Sequence, residues 1–525
     1  MFKKLFKISL INLFIVSCFN LANSSNNIPE IVIERGLYSK IRPTLVIEKI
    51  TEDQDKRILK GEKALFELKD AKEIKAISSS SIKGQKNKIT NINKNQFSYE
   101  AIFEGCDDLE ITYIDNDGEK VKGYSYIPIA TEAEITFIVY LAGDNNLNGG
   151  SFSYNQASDM VLKDLSEIQS AIIDKKALNV IIYLDVTDRA LEKYKNTKNS
   201  IVSTGIYKLI DGKLTLQKVL PEEEHINRSD RINTGQKETL VQCLNAGYSL
   251  SKSRKTILEV WGHGNSLAGV GFDDDKRSNG DGLNLLEIKE AINESKINKI
   301  DILNFSACLM MGIEVFYELK DCVKYVSGSP EYVPGDGSYY GSSKGILTWI
   351  SKNYSAPLKE IAIEISKLNF ESYLSSGAQY MKGSEYEYFL SYSSADLTQM
   401  NEEFISNLKI LFSSLKPEQI ESIRKELLYY GKNINPSKEI TEYCDFIDLI
   451  NKLEASGILV NEISKVKNSL KSFLIFNENI NLKYSGTSKS GFSIFYYPSY
   501  LGNRYDYTSN FGRDTGWNKF LLKER

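Results

Sequence analysis

The chain has 525 residues, 42% of them hydrophobic and 26% charged, with only 34 Gly and 10 Pro. That excludes a collagen, a Pro-rich linker protein and a mostly disordered acidic tail, and the length suggests roughly two to four domains at ~150 residues each. Lys and Arg (65) nearly balance Asp and Glu (69), and the net charge of -4 argues against nucleic acid as a partner. Only two histidines occur, His225 and His263, so a His-rich metal site is excluded and any imidazole chemistry must use one of them.

Lys3, Lys4 and Lys7 precede an apolar run from Ile8 to Phe19, which reads residues 1–24 as an export signal and is short for a membrane span. Two endings are open. Ile15-Val16-Ser17-Cys18 resembles a bacterial lipoprotein box, in which Cys18 is lipidated and attaches the chain to a membrane. Alternatively, cleavage falls near Ala22–Ser24 and Cys18 is an ordinary residue of the signal. An exported protein is expected either way, secreted or lipid-anchored at the bacterial surface. The remaining cysteines are Cys106, Cys243, Cys308, Cys322 and Cys444, with no C-x-x-C pair. That is a poor disulfide framework and a poor zinc site, and an odd cysteine in an exported chain is a candidate free thiol.

Residues 25–130 read as a β-rich N-terminal domain. Its short β-type runs are Ile31–Ile33, Leu45–Ile47, Ala64–Leu68, Ile111–Ile114 and Tyr124–Ile127, the last two joined by a turn at Asp117-Gly118. The polar stretch Ser78–Lys94 reads as a loop. Residues 131–350 change to alternating strands and helices: strand Ile135–Leu141, helix Ser158–Ile173, strand Leu178–Val186 and a hairpin around Asp211-Gly212. Helix Thr234–Leu250, strand Thr256–Val260, a helix from Glu287, strand Ile300–Phe305, helix Leu309–Leu319 and strand Val323–Ser327 follow. This alternation predicts an α/β fold with a parallel sheet between helices. Residues 351–525 read as a more helical region, with helices Leu358–Leu368, Glu402–Leu415 and Pro417–Leu428. Two late runs, Tyr388–Tyr392 and Phe492–Tyr497, are expected to add strands to the main sheet.

The chemistry is expected where two strands end. Thr256–Val260 runs into Trp261-Gly262-His263-Gly264, and Ile300–Phe305 runs into Ser306-Ala307-Cys308. Ligands of open parallel sheets gather at the carboxyl ends of strands. If the two strands are neighbours, His263 and Cys308 converge on one rim, as a thiol protease requires of its nucleophile and imidazole. Cys308 at the start of helix Leu309–Leu319 gains from the helix N–H groups, which favour a thiolate. Taken singly, a cysteine before an apolar helix is more often core, and a lone histidine more often packed or solvated. It is their joint placement that carries the reading. His225, in Glu222-Glu223-Glu224-His225, reads as a solvated loop residue.

These residues resemble the clostripain family of cysteine peptidases, in the caspase-like clan that includes gingipain and legumain. The resemblance runs from about Ile135 to the C-terminus. It covers Val139–Leu147, Asn233-Thr234-Gly235, Trp261–Gly264, Ala307–Met310 and Ser329–Gly335. Ser393–Leu397, Gly491–Pro498 and Asp514–Trp517 complete it, and the N-terminal β segment lies outside it. It implies a caspase-like, mainly parallel sheet flanked by helices. It makes Cys308 the nucleophile, His263 its proton-transferring partner, and the N–H groups of Gly264 and Cys308 the oxyanion hole. It implies protein or peptide substrates cut after Arg or Lys, with no cofactor needed by the dyad and calcium required in some members.

One position departs from the family pattern. An acidic residue usually stands two places before the nucleophile, and here it is Ser306, which cannot balance a buried guanidinium. Asp336, in Gly335-Asp336-Gly337, is a candidate replacement, or else a turn residue between glycines. The polar Asp273–Asp281 stretch offers Lys276 or Arg277 as self-processing sites, or carboxylates for calcium, or a plain solvated loop. The expected function is an exported cysteine endopeptidase. The alternatives are a surface binding protein on a non-catalytic peptidase scaffold, and a transpeptidase using the same acyl-enzyme.

Overall fold

The computed structural model describes residues 45–521, apart from 46, 52–54, 70, 82–85, 149–158, 188–189, 192–193, 195–200, 202, 221–231, 275–279, 385, 387–388, 432–440, 482–487 and 497–504. The expected signal with Cys18, the run Ile31–Ile33, His225, Lys276 and Arg277 fall outside these residues.

Residues 47–132 form two mainly antiparallel sheets. Gly105–Asp115 alternates buried and half-buried positions almost throughout, the pattern of a strand with one face on a core. Phe66, Phe97, Leu109, Ile111 and Ile127 fill that core. The Asp117-Gly118 turn forms as expected: Gly118 has φ +93°, and Asp115 Oδ1 accepts the N–H groups of Asp117 and Glu119 at 2.9 and 2.8 Å. The Ser78–Lys94 loop is corrected, because Ala71–Ser81 and Lys88–Asn93 are both strands. Ala71–Ser81 is an edge strand, where serines are tolerated, and pairing of Ser78–Ser81 with Asp107–Glu110 outweighs their low apolarity. Ser79 Oγ and Tyr99 Oη donate to buried Asp107 at distances down to 2.7 and 2.6 Å.

The central sheet has nine strands: β1 (Ile135–Gly143), β2 (Leu178–Val186), β3 (Gly205–Ile210), β4 (Lys213–Val219), β5 (Lys255–Trp261), β6 (Ile300–Ser306), β7 (Val323–Gly328), β8 (Phe389–Asp396) and β9 (Leu474–Asn481). Their order is β4-β3-β2-β1-β5-β6-β7-β8-β9. The five central strands, β2 to β7 in that order, run parallel, and an antiparallel pair flanks them on each side. All nine residues of β1 and of β2 are buried, because helices cover both faces. Helices Met160–Ser170, Ile346–Lys352 and Leu358–Ser372 pack on the side of Phe137, Val139 and Ile257. Helices Lys237–Leu250, Leu285–Glu294 and Ile313–Leu319 pack on the side of Tyr140, Leu258 and Phe305.

The C-terminal part departs from expectation twice. Of the Tyr388–Tyr392 run, Phe389–Tyr392 joins the central sheet within β8, but Ser493–Phe495 does not. It pairs with Tyr443–Asp445 in a separate three-stranded sheet. Ser493 N–H donates to Met311 O at 2.9 Å and Phe495 N–H to Glu314 Oε1 at 2.9 Å, so that strand is drawn under the Cys308 loop. β9 takes the sheet edge instead. The Pro417–Leu428 helix is only Pro417–Glu421 plus a tight turn at Arg424–Glu426. Leu428 N–H leaves the helical ladder to donate to Asp448 Oδ2 at 2.8 Å.

Candidate functional site

β5 and β6 are parallel neighbours in which Trp261 lies opposite Ser306. His263 and Cys308 therefore each stand two residues beyond one matched pair, on the carboxyl rim of the sheet. Gly262 N–H donates to Ser306 O at 3.2 Å, holding the two strand ends together. Gly264 packs so closely that a Cβ there would lie 2.6 Å from Cys308 O and 2.9 Å from Ala307 Cβ. Only glycine lets the two segments meet at that distance.

Cys308 is half-buried, and the five described cysteines are all free thiols. Val333 N–H donates to Cys308 Sγ at 3.4 Å. Burial pushes the thiol up to about 11, against the pull of the Val333 hydrogen bond and with the Glu331 carboxylate adding to the rise. The expected helix start at Cys308 is corrected: the helix is Ile313–Leu319, with Gly312 at its N-cap. Leu309 takes a left-handed φ of +63°, and the N–H groups of Leu309 and Met311 donate to Glu331 O and Ser329 O at 3.1 and 3.2 Å. A loop pinned to the chain after β7 thus replaces the first helical turn. The backbone donor at the sulfur comes from that chain, not from a helix terminus.

His263 is half-buried, and desolvation lowers its pKa to about 4. Its Nε2 lies 2.5 Å from Asn146 Oδ1. With the amide oxygen as acceptor, Nε2 carries the proton and Nδ1 is the basic nitrogen. Asn146 sits just past β1, the strand beside β5.

Ser306 is 7% exposed, and its Oγ accepts Ser338 N–H at 2.9 Å. The segment 333–338 thus runs from the thiol at Val333 to the strand end at Ser338, with Asp336 between. Asp336 forms an ion pair with Lys163, on the helix Met160–Ser170. The next residue of that helix, Asp164, is fully buried and accepts Trp261 Nε1–H at 2.6 Å, while its other oxygen has no hydrogen-bond partner among the described residues. Burial raises its carboxyl well above the usual range, and the charges of Glu167, Glu259 and Asp336 add to the rise.

The structure therefore brings together His263, Gly264, Ser306, Cys308 and Asp336. Of the Asp273–Asp281 stretch, Asp273 and Asp281 face each other across a short hairpin. Asp273 Oδ2 accepts Thr234 N–H at 3.2 Å and Asp281 Oδ2 accepts Asn233 Nδ2–H at 3.1 Å. Among the described residues no cluster of three or more His, Cys, Asp or Glu side chains could hold a metal. Of Asn146, Val333, Lys163 and Asp164, the sequence reading includes the first two only within the blocks Val139–Leu147 and Ser329–Gly335, with no role of their own. The strand-end rule applied to β1 points to Asn146, whereas nothing local marks the other three.

A thiol and an imidazole thus stand at adjacent strand ends of a mixed α/β fold. The sequence profile of the clostripain family matches residues 139–523, and the chain belongs to that family of cysteine peptidases. Clostripain of Hathewaya histolytica is 25% identical over 220 residues, 39% of this chain and 37% of that protein, so the match spans little more than a third of that relative. Among solved structures, a secreted C11 cysteine protease of Bacteroides thetaiotaomicron in complex with an irreversible peptide inhibitor superposes with a TM-score of 0.52 at 18% identity, over 74% of this chain and all of that one. An inactive zymogen C11 protease of Parabacteroides distasonis gives 0.51 at 18% identity, over 74% and 99%. At those identities the two structures show the shared mixed α/β fold.

Proposed function

We propose that the protein is an exported clostripain-like endopeptidase that hydrolyses peptide bonds through Cys308 and His263. The observation that carries this is the pairing of Trp261 with Ser306, which sets both side chains two residues beyond one rung of the sheet. At rest the thiol is protonated and the imidazole neutral. As a peptide carbonyl arrives, His263 Nδ1 takes the Sγ proton and the sulfur forms a bond to the carbonyl carbon. The oxygen of the tetrahedral intermediate is stabilised by the N–H groups of Gly264 and Cys308. Collapse breaks the C–N bond, and the leaving amine takes the proton from His263. Water, deprotonated by the same imidazole, then cleaves the thioester and restores the thiol. Asn146 holds the ring in the tautomer whose basic nitrogen, Nδ1, carries out both transfers.

P1 preference for Arg or Lys falls to Asp336, since Ser306 has no charge to offer. The same reading assigns the caspase-like core to residues 131–350, self-processing to Lys276 or Arg277, and membrane attachment to lipidated Cys18. Cys308→Ala is expected to reduce hydrolysis of a mixed peptide library by at least about 10³-fold, the scale of a lost nucleophile. Hydrolysis that persists in that variant removes the assignment.

A further inference from the structure

We propose that Lys163 is a resident cation of the P1 pocket, an intramolecular competitor that a basic P1 side chain must displace from Asp336. The inference rests on the peptidase reading and concerns the same site. Three observations converge on it. The segment that offers Asp336 is anchored at both ends to the reacting rim, by Val333 N–H on Cys308 Sγ at 3.4 Å and by Ser338 N–H on Ser306 Oγ at 2.9 Å. The turn between them is fixed as well: Tyr373 Oη donates to Gly337 O at 2.6 Å, and Gln379 Nε2–H to Asp336 O at 2.9 Å. Asp336 therefore cannot retreat from the pocket, and its side chain is 14% exposed.

Its partner can. The Lys163 side chain is 38% exposed and reaches Asp336 from a surface-facing helix position, so its ammonium can return to water at small cost. A P1 lysine or arginine would meet the same carboxylate with the same charge. The third observation is Asp164. Its unpartnered oxygen is buried beside the Gly337 turn, where Oδ2 of the same carboxyl lies 3.4 Å from where a Cβ on Gly337 would stand. A buried polar oxygen with no partner marks a place where one more hydrogen bond is accommodated. Lys163 satisfies Asp336 without reaching Asp164, and an arginine fork has donors for both carboxyls. Lys163 thus acts as a specificity-determining residue: it neutralises the pocket at rest and sets the threshold for binding a basic P1 residue.

The test uses the full chain and peptide substrates that differ only at P1, Arg or Lys against Gln or Met. Active sites are counted with a thiol-directed probe. Lys163→Gln and Lys163→Met are expected to raise the ratio of kcat/KM for basic over neutral P1 about fivefold, through KM, the scale of a partly exposed ion pair. Lys163→Arg keeps the competitor and holds the ratio near its starting value. In an Asp336→Asn background, removal of Lys163 is expected to leave the ratio unmoved. An unchanged or lower ratio in correctly folded Lys163→Gln and Lys163→Met overturns the proposal, as does an equal rise in the Asp336→Asn background. Failure of the probe to label Cys308, or hydrolysis insensitive to Cys308→Ala, overturns the peptidase reading itself and this inference with it.

Discussion

Cys308 gains its environment from backbone groups more than from charges. A thiol pushed to about 11 beside an imidazole lowered to about 4 is a neutral pair throughout the neutral range. In the proposed mechanism, proton transfer would therefore wait for a substrate carbonyl that draws the sulfur forward. The sign of the thiol shift gives a direct prediction. Alkylation of Cys308 by iodoacetamide without substrate should climb about tenfold per pH unit from pH 7 to pH 10, because the thiolate fraction is still rising there. Peptide mapping by mass spectrometry reads the rate at this cysteine, and a plateau below pH 8 would contradict the buried-thiol account. Cys308 and His263 were legible because strand ends have a sequence signature. Val333, whose N–H touches the sulfur, was not, since a backbone donor leaves no mark on residue type.

The loop that holds the thiol is itself held by a buried ion pair between elements far apart in the chain. Lys489 Nζ lies 2.9 Å from Glu331 Oε2, with both side chains less than a tenth exposed. Glu331 Oε1 also accepts the N–H groups of Tyr332 and Gly431 at 3.1 and 2.7 Å. Because Glu331 O receives Leu309 N–H, this pair sets where residues 309–333 sit around Cys308. Lys489→Met should destabilise the protein by about 3–5 kcal/mol, the cost of a buried carboxylate left alone. Pairing it with Glu331→Gln should recover most of the loss, as measured by chemical denaturation. Equal stability of the single and double variants would show that the pair does not anchor the loop. The same contacts explain why the helix was read four residues too early. Residues 309–312 are apolar enough to be helical, but Leu309 is held at a left-handed φ of +63° while the N–H groups of Leu309 and Met311 bond to the chain after β7.

At the scale of the molecule, the N-terminal β unit is built into the part that carries the nine-stranded sheet. Ser251–Lys252, from the central domain, adds a parallel strand to its sheet beside Thr131–Glu132. Lys208, whose side chain is 1% exposed, lies 3.4 Å from Glu104 and donates to Thr131 Oγ1 at 2.7 Å and Leu250 O at 3.0 Å. Arg57 Nη1 donates to Ser251 O at 2.8 Å, and its guanidinium stacks 4.0 Å from the Tyr248 ring centroid. Glu104→Ala strands a buried ammonium and should lower stability by about 3 kcal/mol. Trp261, Trp349 and Trp517, the three tryptophans, all lie outside the N-terminal unit. A shifted denaturation midpoint read by their fluorescence shows that the two parts unfold together, and an unshifted midpoint shows that they do not.

The amino-acid sequence alone determined the alternation of buried strands and amphipathic helices, because that pattern is written in side-chain periodicity along a local stretch of chain. It also determined the two strand-end blocks that bear His263 and Cys308. Only the tertiary structure decided that β5 and β6 are neighbours in register, that Ser493–Phe495 meets Met311 and Glu314 after the Cys308 loop instead of joining the main sheet, and that Lys163 meets Asp336. Those outcomes depend on hydrogen bonds and charges between residues brought together from distant parts of the chain, and such pairings leave no periodic trace in either segment.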